Sequence, residues 1–441
     1  MAEASTTAPD LVGEGGAREG GTRSLRSVVT ATEIDFRLIG LFAALVIIWV
    51  TFHVMSDGTF LTPRNLWNLS VQTATVAIMA TGMVLVIVSR NIDLSVGSML
   101  GLIGVAIALI QAEILPPIIG FDNPLTWMIA LGAGVALGAF LGAFQGFIVA
   151  YVGVPAFLVT LGGLLVWRGA AWALNSGQTV APMDSTFQLL GGGARGSVGE
   201  IVSWIIGGLA CLGILALLIN NRRQRRKFGF PLRPTWVDAG LGVIGSVVVL
   251  GAIWVANSYF WPEGLARQYA ADNGIEWPVG GLQIPTGIAN PVLLAIGVAI
   301  VMTLIATRRR FGRYVFAIGG NPEAAELGGI NTRWTILKAF MVMGVLVGIA
   351  AAVSTARLNA ATSGLGTLSE LYVIAAAVIG GTSLAGGIGT IPGAVLGALV
   401  MQSLQSGMVL IGVDAPLQDI VVGIVLVAAV ALDTIYRRRL A

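Results

Sequence analysis

The chain has 441 residues, 56% of them apolar and 11% charged, with a mean hydropathy of +0.87 and a formal net charge of +3. A soluble domain carries about 25% charged residues, so this chain has too little polar surface to cover so large an apolar core. That argues against a soluble enzyme, a disordered chain and a nucleic-acid binder, the last despite the basic pI. One cysteine (Cys211) and one histidine (His53) leave no disulfide framework and no Cys- or His-based metal site. The expected class is an all-α, polytopic helical membrane protein.

Residues 1–34 are polar, rich in Gly, Ala and Ser, and lack the apolar run of a signal peptide, so they read as a disordered cytoplasmic tail. Apolar stretches follow, each long enough to cross ~30 Å of hydrocarbon at about 20 residues per span. They fall near 38–55, 71–89, 95–113, 126–150, 157–175, 199–219, 237–256, 289–307, 336–356, 369–385, 390–411 and 417–435, twelve in all. Gly or polar residues interrupt the fifth and tenth, which are candidates for broken or re-entrant segments. With the N-terminus inside, the basic clusters at 222–227, 308–313 and 437–439 fall on cytoplasmic segments, and only Arg64, Arg195, Arg267 and Arg357 fall outside. Losing one span would move one of the first two clusters outside. The excess of positive charge on cytoplasmic loops therefore favours an even number of spans and both termini cytoplasmic. The resulting domains are the tail 1–34, a transmembrane region 35–436 and a basic cytoplasmic ending 437–441.

The loop at 308–335 is the most informative. Asn321 suits a helix N-cap, Pro322 the first turn and Glu323 the positive end of the dipole, and Gly328 and Gly329 stop the helix. A helix of about two turns is marginal in water on its own, so it must pack on its own chain or dock on a cytoplasmic partner. Asp93 can cap the third helix with Ser95 in its first turn. Glu370, at the outer start of the tenth span, is either functional, as intramembrane carboxylates tend to be, or simply stabilised by a helix N-terminus. Gln145, Asn175, Gln402 and Gln405 carry amides on otherwise apolar helices; such groups either face a neutral hydroxylated solute or bond helix to helix. Gly134, Gly138, Gly142 and Gly146 put a bare stripe on one face of the fourth span, fit for close packing within the chain or against a second subunit. No G-x-x-x-x-G-K-[ST] occurs, so ATP is not held here in the Walker manner. No catalytic residue, metal site or cofactor is expected.

Three stretches resemble the permease subunits of bacterial monosaccharide ABC importers of the ribose/xylose/arabinose type: NIDLSVGSMLGL at 91–102, GRYVFAIGGNPEAAELGGIN at 312–331 and SELYVIAAAVIGGTSLAGGIGTIPGAVLGAL at 369–399. VPAFLVTLGGLLVWRGAA at 154–171 and GIVLVAAVALD at 423–433 are similar too. The extra block at about 200–290, an added helix pair with loops, looks like the xylose-type branch, which gives ten family core spans plus two. The chain departs from the family pattern where Arg90 and Asn91 replace small Gly-type residues and where Tyr372 replaces the Asp that usually follows Glu-Leu.

The resemblance implies that Asn321, Pro322, Glu323, Ala324, Ala325, Glu326, Leu327, Gly328 and Gly329 form a coupling helix seated in a cytoplasmic ATPase, which holds ATP and Mg. It also implies a second permease copy and a periplasmic sugar-binding protein as partners. Asp93, Ser95, Gln145, Asn175, Glu370, Gln402 and Gln405 are the candidate pathway or gating residues. The basic 222–227 loop and the tail are expected at anionic lipid. The expected function is import of a monosaccharide, xylose first, across a bacterial inner membrane by alternating access. The rival reading is an ion-driven secondary transporter with an essential intramembrane carboxylate; a membrane-embedded enzyme would need a nucleophile–base pair that the sequence does not supply.

Overall fold

Where water is absent the backbone must satisfy its own hydrogen bonds, and helices do so within one segment. The computed structural model describes residues 36–438, and among them the only non-helical pairing is a few isolated bridges. The 1–34 tail and the last three residues of the 437–441 ending lie outside the described residues. In chain order the helices are α1 (Phe36–Met55), α2 (Pro63–Val88), α3 (Val96–Leu109), α4 (Thr126–Phe147), α5 (Ala156–Asn175), α6 (Gly199–Lys227), α7 (Thr235–Asn257), α8 (Glu263–Asp272), α9 (Asn290–Arg308), α10 (Arg310–Gly320), α11 (Pro322–Leu327), α12 (Thr332–Leu358), α13 (Ser369–Ile379), α14 (Ile391–Leu410) and α15 (Ala415–Arg438).

Every expected apolar stretch falls on one of these helices. Nine, among the described residues, are long and apolar enough to cross a bilayer, and shorter apolar helices lie in α1, α13 and α15. Two expectations are corrected. The fifth stretch is unbroken, because α5 runs from Ala156 to Asn175 without interruption. The tenth is shorter than expected: α13 stops at Ile379 after 11 residues, and Gly380 to Thr390 form a loop with positive φ at Gly381, Gly386 and Gly387. At 1.5 Å per residue it reaches only about 17 Å. α3 is entered the same way, after the irregular segment 89–95.

α2 is apolar on all sides and is buried without a break from Val76 to Ser89, as a helix with no polar face must be. α12, α14, α9 and α13 surround it. α6 and α7 pack on each other at one side, with Ile201, Leu212, Ile244 and Val247 exposed, an apolar surface suited to lipid. α4 and α12 lie antiparallel along the glycine stripe. Gly134 meets Gly348 across it, Gly138 and Gly142 meet Gly344, and Gly146 meets Leu337. The stripe therefore faces the chain itself. Gly393 and Gly397 bring α14 against Gly380 and Ala376 in the same manner.

Candidate functional site

Two regions carry unusual chemistry. The first is α11. The Asn321 side chain accepts from the Ala324 N–H at 3.0 Å, Pro322 occupies the first turn, and Gly328 ends the helix with Gly329 at φ +81°. The Gly329 N–H donates to Glu326 O and the Ile330 N–H to Ala325 O, satisfying carbonyls that a helix end leaves free. Both ends are thus closed by local chemistry. Ala325 is the one buried residue, while Glu323, Ala324, Glu326 and Leu327 are open. Leu327 is 90% exposed, a large apolar side chain with nothing of its own chain over it. α10 precedes it and was not foreseen. Its buried residues Gly312, Val315, Ile318 and Gly319 recur at helical spacing, opposite Arg310 and Arg313.

The second region surrounds the entry to α3. Asp93 is fully buried, and its Oδ1 accepts from the Ser95 backbone N–H at 2.9 Å and from the Ser95 hydroxyl at 2.6 Å. It does not cap the helix as expected: Ser95 is the N-cap, and Asp93 orients Ser95 from two residues upstream. Burial pushes the Asp93 carboxyl up to about 6, against the two Ser95 bonds, which lower it. The Ser95 hydroxyl donates its single proton to Asp93 Oδ1 in this short bond. The Ser95 oxygen is left to accept from Gln145 Nε2 at 2.9 Å, which fixes the amide of α4.

Thr160 of α5 donates to Ile92 O at 3.2 Å, and Gly163 leaves room for Gln145 Nε2, Trp167 Nε1 and Ser95 to converge. One turn further along α3, Gly97 leaves room for Glu370 Oε2, and Arg168 of α5 donates to Ser363 O at 2.9 Å and Leu365 O at 3.2 Å. Asp93 Oδ2, Ser98 Oγ, Trp167 Nε1 and Glu370 Oε2 are buried without a protein partner. Buried polar atoms are normally paired. Two carboxylate oxygens, a hydroxyl and an indole N–H are groups that can bond the hydroxyls of a neutral solute.

The structure therefore brings Asp93, Ser95, Gln145 and Glu370 to the same helix entry, and leaves the other candidates elsewhere. Asn175 ends α5: its side-chain oxygen accepts from the Gly177 N–H and its Nδ2 donates to Gln178 O. Gln402 donates to Gln405 at 3.0 Å, while Ser403 and Ser406 tie α14 to Trp49 of α1 and Asn65 of α2. Ser403 and Ser406 hold helices together, while the Asn175 and Gln402 bonds are local to one helix or its end. Trp167, Arg168 and Ser98 were not singled out from sequence, although an arginine inside an apolar run is a recognisable signal. Among the described residues no group of three or more His, Cys, Asp or Glu could hold a metal ion.

Residues 65–430 match the family model described as "Branched-chain amino acid transport system / permease component". The chain belongs to this permease family. The permease is 37% identical over 406 residues to the xylose transport system permease protein of Escherichia coli (strain K12), covering 92% of this chain and 94% of that one. It is also 37% identical to the xylose transport system permease protein of Haemophilus influenzae (strain ATCC 51907 / DSM 11121 / KW20 / Rd), over 92% of this chain and 98% of that one. With the ribose import permease protein of Escherichia coli (strain K12) it shares 31% identity over 85% of this chain and 87% of that one. No solved structure matches the permease. The resemblance read from the sequence is thus confirmed, and the permease is a transport component rather than an enzyme. The ion-driven alternative falls with it, since every relative described here is the permease part of a transport system.

Proposed function

We propose that the permease is the membrane-spanning subunit of an ATP-driven importer of xylose or a closely related monosaccharide. Two copies form the channel, α11 of each seats in a cytoplasmic ATPase that holds ATP and Mg, and a periplasmic binding protein delivers the sugar. The observation that carries this reading is α11. A six-residue helix that caps both its ends yet buries only Ala325 and leaves Leu327 open is a preformed docking element. The names of the xylose and ribose relatives support the substrate class, and the unpartnered polar atoms beside Trp167 fit it.

The chain crosses a bacterial inner membrane about twelve times, with both ends cytoplasmic and α13 as a half-length segment. Arg223, Arg226 and Lys227, exposed at the end of α6, meet anionic headgroups at ~1 kcal/mol each.

The test is purification of the tagged chain in gentle detergent with its co-purifying proteins identified. An ATPase with two nucleotide domains, recovered at half the copy number and lost when 321–329 is scrambled, is the expected result. A chain that comes out alone and still moves xylose without ATP would sink the reading. Competition of labelled xylose uptake by ribose and allose then ranks the sugars.

A further inference from the structure

Arg90 sits where α2 ends and the irregular entry to α3 begins, with φ +65°, in the left-handed region that non-glycine residues rarely occupy. Its side chain does not face solvent alone. Nε donates to Gly319 O and Nη2 to Gly320 O, both at 2.8 Å. These are the last two carbonyls of α10, which a helix end leaves without partners and with partial negative charge. A planar guanidinium can hold two such acceptors at once in a fixed geometry.

The same point gathers a third segment. The Gly387 N–H donates to Val88 O at 3.0 Å. A Cβ at Gly319 would collide with Val88 O and the Gly387 backbone, and one at Gly386 would reach Arg90 Cγ at 2.5 Å and Gly319 O at 2.9 Å. Three backbones therefore touch directly: the end of α2, the end of α10 and the loop between α13 and α14.

What lies on either side gives the junction its meaning. Asn321, the N-cap of α11, follows Gly320 with no intervening residue. In the other direction Asp93 is three residues from Arg90. The 380–390 loop continues α13, whose far end places Glu370 against Gly97 of α3. The docking helix thus reaches the entry of α3 and the loop after α13 through direct backbone contacts and the Arg90 bonds, and a contiguous connection of this kind can carry coupling between sites.

We propose that Arg90 is a positioning residue that ties the docking helix α11 to the entry of α3 and to the half-length α13, so that displacement of α11 reaches the Asp93–Ser95–Gln145 cluster and the inner end of α13 together. This rests on the docking reading above.

The experiment reconstitutes the permease with its ATPase and binding protein in vesicles and measures ATP hydrolysed per sugar imported, alongside ATPase retention and thermal stability. Arg90→Gly removes the side chain and suits the backbone, so it is not expected to misfold; Arg90→Lys keeps the charge but not the fork. Arg90→Gly should retain the ATPase and the wild-type melting temperature while the ATP cost per sugar rises at least ten-fold, with Arg90→Lys in between. A wild-type ratio in Arg90→Gly overturns the proposal. So does loss of ATPase binding in a folded Arg90→Gly chain, which would make Arg90 part of the docking surface instead. Failure of the wild-type chain itself to retain an ATPase is a different result and removes the docking reading.

Discussion

At Gly138 and Gly344 the helices α4 and α12 meet through backbone alone, and a Cβ on either would collide with the other's carbonyl. Gly138→Leu should force them apart at an overpacking cost of about 1–3 kcal/mol, read as a lowered melting temperature in detergent. Gly132 lies on the same helix with nothing within 4 Å, so Gly132→Leu should leave the temperature unchanged. Equal losses in the two variants would mean that the added side chain itself, not the crossing, sets the loss. The amides divide in a similar way. Gln145→Leu leaves the Ser95 oxygen without its donor inside the α3 cluster and should cut sugar uptake several-fold. Gln402→Leu removes one bond between neighbours on α14, within a single helix, and should leave uptake intact. Equal uptake in the two variants, at matched membrane amounts, would remove the α3 cluster from the path. A sequence shows that Gln145 and Gln402 are polar residues on apolar helices, and nothing more. Which of them joins a buried carboxylate depends on partners such as Ser95, fifty residues from Gln145.

At the scale of elements, the short capped helix α11 was the most legible part of the chain, because its code is local. Asn, Pro and Glu start a helix, a glycine pair stops it, and all the groups involved lie within nine residues. α10 was not legible: its buried face is half glycine, and Gly319 has meaning only against Val88 and Gly387, far away in sequence. α13 was overextended for the related reason that Gly380–Gly389 is apolar enough to continue a span, while its glycines turn the backbone instead. The exposed side of α11 offers a direct test. Leu327→Asp places a charge on the apolar tip, and Glu326→Arg inverts the charge beside it. Both should insert normally and give up much of the bound ATPase, with uptake falling in proportion. Both positions are exposed, so stability should move by no more than about 0.5 kcal/mol. Full ATPase retention in both variants would show that the partner does not read this surface.

At the scale of the whole molecule, the question is what the α6–α8 block contributes. Its two ends come together in the fold: the Val198 N–H donates to Ile288 O at 3.0 Å and the Gly199 N–H to Thr286 O at 3.2 Å. The block touches the rest where α7 packs on α2, with Ala256 against the Trp67 and Val71 cluster, through the Trp67–Tyr259 ring pair at 5.1 Å, and through the Ser203 hydroxyl on the Ile288 N–H. Between it and α2, α9 and α14 lies an apolar crevice of about 820 Å³, lined by Ala74, Leu217, Ile296 and Leu399 among others. Lipid can fill such a space, so the bundle does not depend on the block for closure. Joining Gly199 directly to Gly287 would make Gly-Gly the two-residue turn of a hairpin whose closing bond, Val198 to Ile288, already exists. Trp67 would keep its bond to Gly287 O. The expected cost is at least the ring pair and one hydrogen bond, roughly 1–3 kcal/mol, with the packing of Ala256 on Trp67 and Val71 added to it. The shortened permease should therefore insert, melt a few degrees lower, retain the ATPase through α11 and still import sugar, because α3, α13 and the Arg90 junction lie outside the excised block. If it inserts and binds the ATPase but no longer imports, the block belongs to the transport cycle itself, and the added helix pair is part of the machine rather than an attachment to it.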